Sequence, residues 1–438
     1  MRDQSYDFAS FYFTSPQNRI IGDITPINQA IYVPSVSPSY VTLAYQQKWN
    51  RVLPKGIKSG DFDFLDPNNG LFRISHVMSS AGQALNQRHD CIITKRDRNS
   101  AIMIGDSGGY QIAQNKILVR DDNDRRKILN WLETHANIAM TLDVPTGPLL
   151  NGSYNYKSFD DCLRASLHNL KLFDKHRYNK DVIFLNVLQG NDQAQSDAWY
   201  DEVKAFEFEG WAFGGILRHN FYLLCRRILI MYREGKIQNK KWIHVLGTNE
   251  LETAVLLTAL QRSINRHIDR YLRISFDTSS PFRNLGWGNV YGLPRFDKKS
   301  MAIPPHKLLS SSKFFDSDIR WPWPSPLGNH LTMGDIAVRS AMNNKCYLDT
   351  QSNVYLAHHN LSALCFAIAS ANRAFDAAYF ARSYNIASHL GAAAEVIDDI
   401  MRKKSMEMLI GNEHIFNKLR HTKVPYDTGD QERDLCMF

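Results

Sequence analysis

Residues 100–114, "SAIMIGDSGGYQIAQ", contain the pattern on which the fold prediction rests. An apolar run, Ile102–Ile104, stops at Asp106 and a glycine-rich turn, after which the sequence takes on helical character. Asp, Ser and Gly are common where a chain reverses, so a plain turn is the simplest interpretation. The alternative is that the strand end positions a carboxylate that takes part in a reaction, beside glycines that leave room for a flat ligand.

The same order of apolar run, polar or glycine turn and helical stretch recurs as far as residue 277. The later apolar runs are 138–142, 182–185, 211–213, 242–246 and 273–276. Strands that alternate with helices predict parallel βα units, and a spacing of roughly 25 to 45 residues suits a barrel of eight such units. We therefore predict an α/β fold, a (β/α)8 TIM-type barrel with an irregular N-terminal extension and a C-terminal helical region. The rival, a doubly wound sheet, would gather fewer strand ends around one ligand.

Composition shifts divide the chain into three parts. Residues 1–60, rich in Ser, Pro, Asn and Tyr, are predicted to form an extension that packs on the barrel. Residues 61–345 are assigned to the barrel, with an irregular Pro-, Ser- and Trp-rich insertion near 280–330. Residues 346–438 are predicted to be helices that complete the barrel and contact nucleic acid.

Composition also limits the class of protein. With 438 residues and 44% hydrophobic content, the chain can bury a large core. It shows neither a long uninterrupted apolar run nor a start typical of a signal peptide, which predicts a cytoplasmic protein without a membrane span. Six scattered cysteines without a CxxC pair indicate reduced thiols. The net charge of +8 permits a polyanionic partner without requiring one.

Polar residues follow five of the predicted strands and would meet on one face of a barrel. They are Asp106, Asp143, Gln189–Gly190, Gly214–Gly215 and Asp277. Each alone is an ordinary helix cap or turn. Together they predict a pocket in which an Asp and a Gln pair with the edge of a guanine, while bare glycine backbone leaves room for the ring. The other two carboxylates would then cleave an N-glycosidic bond, one as a nucleophile and one as a proton carrier.

These segments resemble, in order, the motifs of the tRNA-guanine transglycosylases, which exchange guanine for a 7-deazaguanine. "GDSGGYQ" (105–111) resembles the family's DSGG[FY]Q, and "FDTSSPFRNLGWGNVYG" (276–292) resembles its FDCxxPTRxxRNG segment. "LDVPT" (142–146), "VLQG" (187–190), "GWAFGG" (210–215) and "LGTNELETAV" (246–255) resemble the intervening motifs. The resemblance covers about residues 100–295 and implies a (β/α)8 barrel.

The resemblance implies a role for each matching residue. Asp277 corresponds to the nucleophile that attacks the sugar C1′, and Asp106 corresponds to the general acid and base. Asp143 and Gln189 correspond to the residues that bind the base edge. The other pocket residues that it implies are Ser107, Tyr110, Gly190, Gly214 and Gly215.

The sequence departs from the tRNA enzymes at two places. Their CxCxxC zinc cluster is missing, and Cys346 with His359 of "AHHNL" supplies too few ligands to close a tetrahedral site. We therefore predict no metal and no cofactor, with zinc at Cys346 and His359 as the open alternative. The arginine-rich segment after the nucleophile retains Arg283 but lacks a second arginine. These departures favour the related branch that inserts 7-deazaguanine into DNA in the modification or restriction–modification systems of bacteria and phages.

The predicted activity is therefore that of a DNA-guanine transglycosylase, a pentosyltransferase that installs 7-cyano-7-deazaguanine through a covalent Asp–deoxyribose intermediate. A duplex base would have to be flipped out of the stack to reach the pocket. Basic residues near the barrel mouth are candidates for contacts with phosphates, although surface charge is the simpler interpretation of each. They are Arg218, Arg283, Arg295, Lys298 and Lys299.

Three alternatives stay open. Instead of a DNA enzyme, the protein would be a tRNA-guanine transglycosylase without zinc, a non-catalytic paralogue that binds nucleic acid, or a plain sugar-processing barrel. The presence of both Asp106 and Asp277 argues against the second, and the guanine-binding pair Asp143 and Gln189 argues against the third. Helper proteins of a DNA modification system are an open class of partner. Trp321 would either stack on bases or stiffen a proline-rich turn.

Overall fold

The computed structural model describes residues 29–84, 90–113, 116–117, 119–152, 155–308, 312–339, 346–380 and 387–419. These residues form an α/β fold in which eight parallel strands make one sheet, nearly closed into a barrel and flanked by helices. This arrangement is consistent with the predicted TIM-type barrel.

The barrel strands follow one another around the sheet in chain order. They are β1 (Ile31–Pro34), β2 (His76–Ser80), β3 (Ile102–Asp106), β4 (Ile138–Met140), β5 (Ile183–Leu188), β6 (Gly210–Phe213), β7 (Trp242–Val245) and β8 (Arg273–Thr278). β1 pairs with β8, in the register Val33 to Asp277. Just past the end of β1, the Val36 N–H donates a hydrogen bond of 3.2 Å to the Met78 carbonyl. This contact brings the two outer strands of the sheet together.

Helices connect the strands and cover their outer surface. They are α1 (Pro38–Gln46), α2 (Ala81–Ala84), α3 (Ile92–Lys95), α4 (Gly109–Ala113), α5 (Asp122–His135), α6 (Phe159–His176), α7 (Gln193–Val203), α8 (Phe221–Arg233), α9 (Leu251–His267), α10 (Ser280–Gly286), α11 (Met333–Ile336), α12 (Thr350–Phe380), α13 (Ser388–Lys403), α14 (Met406–Gly411) and α15 (Glu413–Phe416). Short strands outside the barrel are β9 (Asn289–Tyr291), β10 (Arg295–Phe296), β11 (Met301–Ala302), β12 (Pro305–Lys307), β13 (Val338–Arg339) and β14 (Cys346–Tyr347).

Alternation along each strand decides which side chains enter the barrel. On β5, Leu185 and Val187 belong to the interior cluster, whereas Phe184 and Leu188 pack against the surrounding helices. Successive residues of a strand point to opposite faces, so the next inward position is Gln189, just past the strand end. An inward residue at a carboxyl end therefore lies at the barrel mouth.

The barrel begins earlier than the predicted boundary at residue 61. β1 lies inside the segment 1–60, which the sequence analysis assigns to an extension. It is not recognisable as a strand from the sequence because "IYVP" has only four residues and ends in Pro34. β2, "HVMSS", was not predicted because His and Ser interrupt its apolar pattern. The insertion near 280–330 contains α10 and the short strands β9 to β12.

Two of the C-terminal helices, α12 and α13, pack against α9. An ion pair joins Arg262 of α9 to Asp376 of α12, with an N–O distance of 2.6 Å. Ser263 donates a hydrogen bond of 2.9 Å to Asp398 of α13. Among the described residues, α12 is the helix long and apolar enough to cross a membrane, but 94% of its most apolar window is buried within the protein.

Two glycine substitutions test this packing. An added Cβ on Gly210 of β6 would collide with the Trp242 carbonyl of β7 and lie 2.6 Å from a methyl of Leu185, so we expect Gly210→Ala to lower the free energy of unfolding by about 1–3 kcal/mol. Gly391 in α13 has open space around its Cβ position, so Gly391→Ala should raise stability by about 0.5–1 kcal/mol. Urea denaturation followed by circular dichroism measures both. A Gly210→Ala protein as stable as the wild type would contradict the register of β6 and β7.

Candidate active site

Asp277 lies at an inward position near the carboxyl end of β8 and is buried. The Gly247 N–H donates a hydrogen bond of 2.7 Å to its Oδ1, and Nε2 of His244 lies 3.2 Å from the same oxygen. The Asp277 carbonyl accepts a hydrogen bond of 2.8 Å from the Thr248 N–H. The chain after β7 therefore holds Asp277 by both its backbone and its carboxylate. Gly247 has a φ of +60°, a conformation that favours glycine.

Asp106 ends β3 opposite Ser80 of β2. Burial raises the pKa of its carboxyl group, and the nearby charge of Asp277 acts in the same direction. Hydrogen bonds from Ser80 and from the Gly108 N–H, together with His244, oppose this rise. Asp106 thus remains protonated to a higher pH than an ordinary aspartic acid, and it lies close enough to Asp277 to respond to its charge.

Asp143 forms a buried pair with Gln189. The Gln189 amide donates a hydrogen bond of 2.7 Å to Asp143 Oδ2. Burial raises the pKa of Asp143 to about 7, and the charge of Asp106 contributes to the rise. An added Cβ on Gly109 would lie 2.8 Å from Asp143 Oδ1, so the glycine turn after Asp106 packs directly on this carboxyl group. The three predicted carboxyl groups therefore belong to one cluster.

The glycines after β5 and β6 let two backbones touch beside Gln189. Gly190 has a φ of +120° and its carbonyl accepts a hydrogen bond of 2.8 Å from the Ile216 N–H. An added Cβ on Gly214 would lie 2.8 Å from the Gln189 amide nitrogen, and one on Gly215 would collide with the Gly190 carbonyl. Side chains here would displace Gln189 from Asp143.

The two remaining predicted pocket residues follow Asp106. Ser107 is fully buried, and among the described residues nothing forms a hydrogen bond with its Oγ. A buried hydroxyl of this kind needs a partner, such as water or a ligand. Tyr110 belongs to α4, but its side chain lies outside the described part of the structure.

The predicted nucleic-acid contacts fall into two groups on the face that contains the strand ends. Arg218 ends the 3-10 turn after β6, and its guanidinium Nη1 lies 2.6 Å from where a Cβ on Gly247 would be. Arg283 is exposed on α10, six residues after Asp277, with its guanidinium 5.2 Å from the ring centre of Trp287.

The second basic group occupies the hairpin of β10 and β11. Arg295, Lys298 and Lys299 are all exposed there. The hairpin contacts the first turn of α9, where the Met301 N–H donates a hydrogen bond of 3.1 Å to Glu252. Because α9 follows the carboxyl end of β7, this hairpin lies at the rim of the same face.

His359, which was considered for zinc, has other partners. The Tyr291 carbonyl lies 2.9 Å from Nε2 of His359 and must accept its proton, while the Ser325 hydroxyl lies 2.8 Å from Nδ1. Both ring nitrogens of His359 are thus engaged, so this residue does not fit a metal ligand. No group of three His, Cys, Asp or Glu suited to a metal occurs in the part of the chain that the structure describes.

Trp321 is buried in an apolar cluster that includes Phe314, Leu327 and Leu331, with its ring centre 5.0 Å from that of Trp323. It also packs edge-on against the ring of His359. Of the two interpretations given for Trp321, this packing favours the stiff proline-rich turn over stacking on bases.

Residues that were not foreseen complete the site. His244 and Ser275 are fully buried on β7 and β8, and Nδ1 of the histidine lies 2.7 Å from the serine Oγ. Ser80 supports Asp106. The sequence contains a signal for His244, since one polar residue interrupts the apolar run 242–246 at an inward position of β7.

No family model matches this sequence, and no curated protein is significantly similar to it.

The raised pKa of Asp143 predicts a pH dependence of stability. In the unfolded chain an aspartic acid titrates near pH 4, so between about pH 4 and pH 7 the folded state binds more protons than the unfolded state. Stability should therefore fall as the pH rises through this window. We expect Asp143→Asn, which retains an oxygen for Gln189, to make this fall shallower in urea denaturation at a series of pH values. The exposed Asp181→Asn is the control, and equal slopes for wild type and Asp143→Asn would contradict the assigned pKa.

Proposed function

We propose that this protein exchanges guanine in DNA for a 7-deazaguanine, such as 7-cyano-7-deazaguanine, through a covalent intermediate on Asp277. The proposal is supported by one observation above all. Two carboxyl groups, those of Asp277 and Asp106, lie together at the barrel mouth beside a third that is paired with the amide of Gln189. A nucleophile, a proton carrier and a base-recognition pair are the groups that base exchange requires.

The pair of Asp143 and Gln189 suits guanine better than adenine. The guanine edge presents N–H donors next to a carbonyl oxygen. An ionised Asp143 accepts from such donors, and the Gln189 amide supplies a donor for the oxygen. Because the pKa of Asp143 is about 7, bound guanine would stabilise its ionised form.

The exchange takes two displacements at C1′. Oδ2 of Asp277 attacks C1′, the C1′–N9 bond breaks with its electron pair going to the base, and Asp106 donates a proton to the departing guanine. The 7-deazaguanine then enters, Asp106 removes its N9 proton, N9 attacks C1′ and the ester bond returns its electron pair to Asp277. The contacts that His244 and the Gly247 N–H make with this carboxylate both end on Oδ1, which leaves Oδ2 for the attack.

DNA is the proposed polymer because the sequence resembles the tRNA enzymes without their zinc cluster or second arginine. The exposed cations Arg283, Arg295, Lys298 and Lys299 suit phosphate binding on the face that holds the strand ends. Binding should accordingly weaken as the salt concentration rises.

A base-exchange assay tests the proposal. Purified protein is incubated with labelled guanine or 7-cyano-7-deazaguanine and with duplex DNA, single-stranded DNA or tRNA, and label is counted in the precipitated polymer. Label in DNA alone supports the proposal. Label in tRNA alone would retain the chemistry and change the substrate, and label in no polymer would favour a non-catalytic nucleic-acid-binding protein.

We expect Asp277→Asn to abolish both exchange and the covalent adduct, because an amide is not a nucleophile. Asp106→Asn should slow exchange by roughly 10²- to 10⁴-fold through the loss of proton transfer. Denaturing gel electrophoresis of the protein–DNA adduct measures the first effect and label incorporation measures the second. The control is Asp181→Asn, at the opposite end of the barrel two residues before β5. A fully active Asp277→Asn protein would overturn the assignment.

The base-recognition pair predicts a separate effect. Asp143→Asn replaces an acceptor with a group that also donates, so it should weaken the preference for guanine over other purines while DNA affinity stays close to that of the wild type. Competition between labelled guanine and unlabelled purines measures the preference, and gel mobility shift measures DNA affinity. Unchanged preference in this variant would rule out the pocket assignment.

A further inference from the structure

A chain of hydrogen bonds through β7 and β8 ends on the Asp277 carboxylate. The Trp242 indole N–H donates to Ser275 Oγ at 2.6 Å, and this oxygen lies 2.7 Å from His244 Nδ1. The other ring nitrogen, Nε2, lies 3.2 Å from Asp277 Oδ1. All four side chains are buried.

The indole donor at one end and the carboxylate acceptor at the other favour one direction for this chain. An indole N–H can only donate, so Ser275 Oγ accepts from it and can give its own proton to Nδ1 of His244. In the neutral imidazole the ring proton is then on Nε2, where it faces Asp277. The opposite tautomer would place a nitrogen lone pair against the carboxylate oxygen.

We propose that His244 is a positioning residue for the nucleophile, with its Nε2–H directed at Asp277 by Ser275 and Trp242. This inference rests on the proposed function, in which Asp277 attacks C1′. His244 and the Gly247 N–H together hold Oδ1, so the carboxylate presents Oδ2 in one orientation. Holding a nucleophile in the attacking geometry before the substrate arrives removes part of the entropic barrier.

The same two donors act in the second displacement. In the covalent intermediate Oδ1 is the carbonyl oxygen of an ester. Negative charge returns to the Asp277 carboxylate as its bond to C1′ breaks. Donors already aimed at an oxygen where charge develops stabilise that transition state without reorganisation. His244 should therefore affect both the formation and the breakdown of the adduct.

The first test reports the tautomer and needs no substrate. Nitrogen-15 NMR of histidine-labelled protein distinguishes protonated from unprotonated ring nitrogens, and the His244 resonances are assigned by their loss in His244→Gln. We expect Nε2 of His244 to bear the proton, and Ser275→Ala and Trp242→Phe to weaken this preference. An unprotonated Nε2 in the wild type would overturn the inference.

The second test measures the rate of adduct formation on DNA in single turnover. Loss of a hydrogen bond to a charged group predicts that His244→Ala slows this step by roughly 10- to 100-fold, while DNA affinity is retained. His244→Gln, whose amide can place an N–H near Oδ1, should recover part of the rate. If His244 had only a structural role, a His244→Gln protein with unchanged thermal stability would show no such recovery of the rate.

The matched control is His76→Gln. His76 is also a buried histidine on a barrel strand next to a serine hydroxyl, with Nδ1 3.2 Å from Ser75 Oγ, but it lies at the amino end of β2. It should form the adduct at the wild-type rate. A wild-type rate in His244→Ala would overturn the inference. A wild-type protein that forms no adduct with any polymer would instead overturn the proposed function, and the NMR result would then decide the His244 assignment.

Discussion

Three carboxyl groups at one end of the barrel lie close enough for their charges to interact. Burial and the charge of Asp277 both raise the pKa of Asp106, and burial and the charge of Asp106 raise that of Asp143. Ionising the whole cluster is unfavourable, since burial removes water and like charges repel. Near neutral pH Asp143, whose pKa is about 7, is therefore a mixture of the protonated and ionised forms, and Asp106 keeps its proton to a higher pH than an ordinary aspartic acid. Chemistry that needs an acid and a nucleophile in one pocket requires both protonated and ionised carboxyls.

Close packing of the backbone brings the residues of this cluster together. The turn after Asp106 approaches Asp143 so closely that a Cβ on Gly109 would lie 2.8 Å from a carboxylate oxygen. Gly214 and Gly215 likewise bring the end of β6 against Gly190 and Gln189. Each glycine removes a side chain where two strand ends must touch, so the polar groups can occupy the space at the barrel mouth. Glycine is needed in these turns because a side chain there would keep the carboxyl groups from lying this close together.

The sequence was informative where a strand had a clear apolar run and a polar end. β3 and β8 were predicted on that basis, and the structure places Asp106 and Asp277 at their carboxyl ends, close enough for their charges to interact. β1 and β2 were missed because a four-residue strand beside a proline, and a strand containing His and Ser, lack the periodicity that identifies a strand. The contacts of His244 were not predictable, since they depend on the register of β7 against β8, in which His244 pairs with Ser275.

The segment after Asp277 is supported by buried polar side chains of α12. The Tyr291 N–H donates a hydrogen bond of 2.8 Å to Asn360 Oδ1, and the Asn360 amide donates one of 3.0 Å to the Pro281 carbonyl. His359 donates to the Tyr291 carbonyl, and the Tyr291 hydroxyl donates to Ser280 at 2.9 Å. Both ends of the segment between α10 and β9 are therefore attached to one helix.

The attachment through His359 depends on the protonation state of the ring. Burial lowers the pKa of His359 to about 4 and that of its neighbour His358 to about 3, so both rings remain neutral across the physiological range. A neutral ring can donate with one nitrogen and accept with the other, as His359 does between Tyr291 and Ser325. Protonation would turn the accepting nitrogen into a second donor inside a desolvated core. The hydrogen bonds that hold the loop behind Asp277 therefore depend on the same burial that makes this helix part of the core.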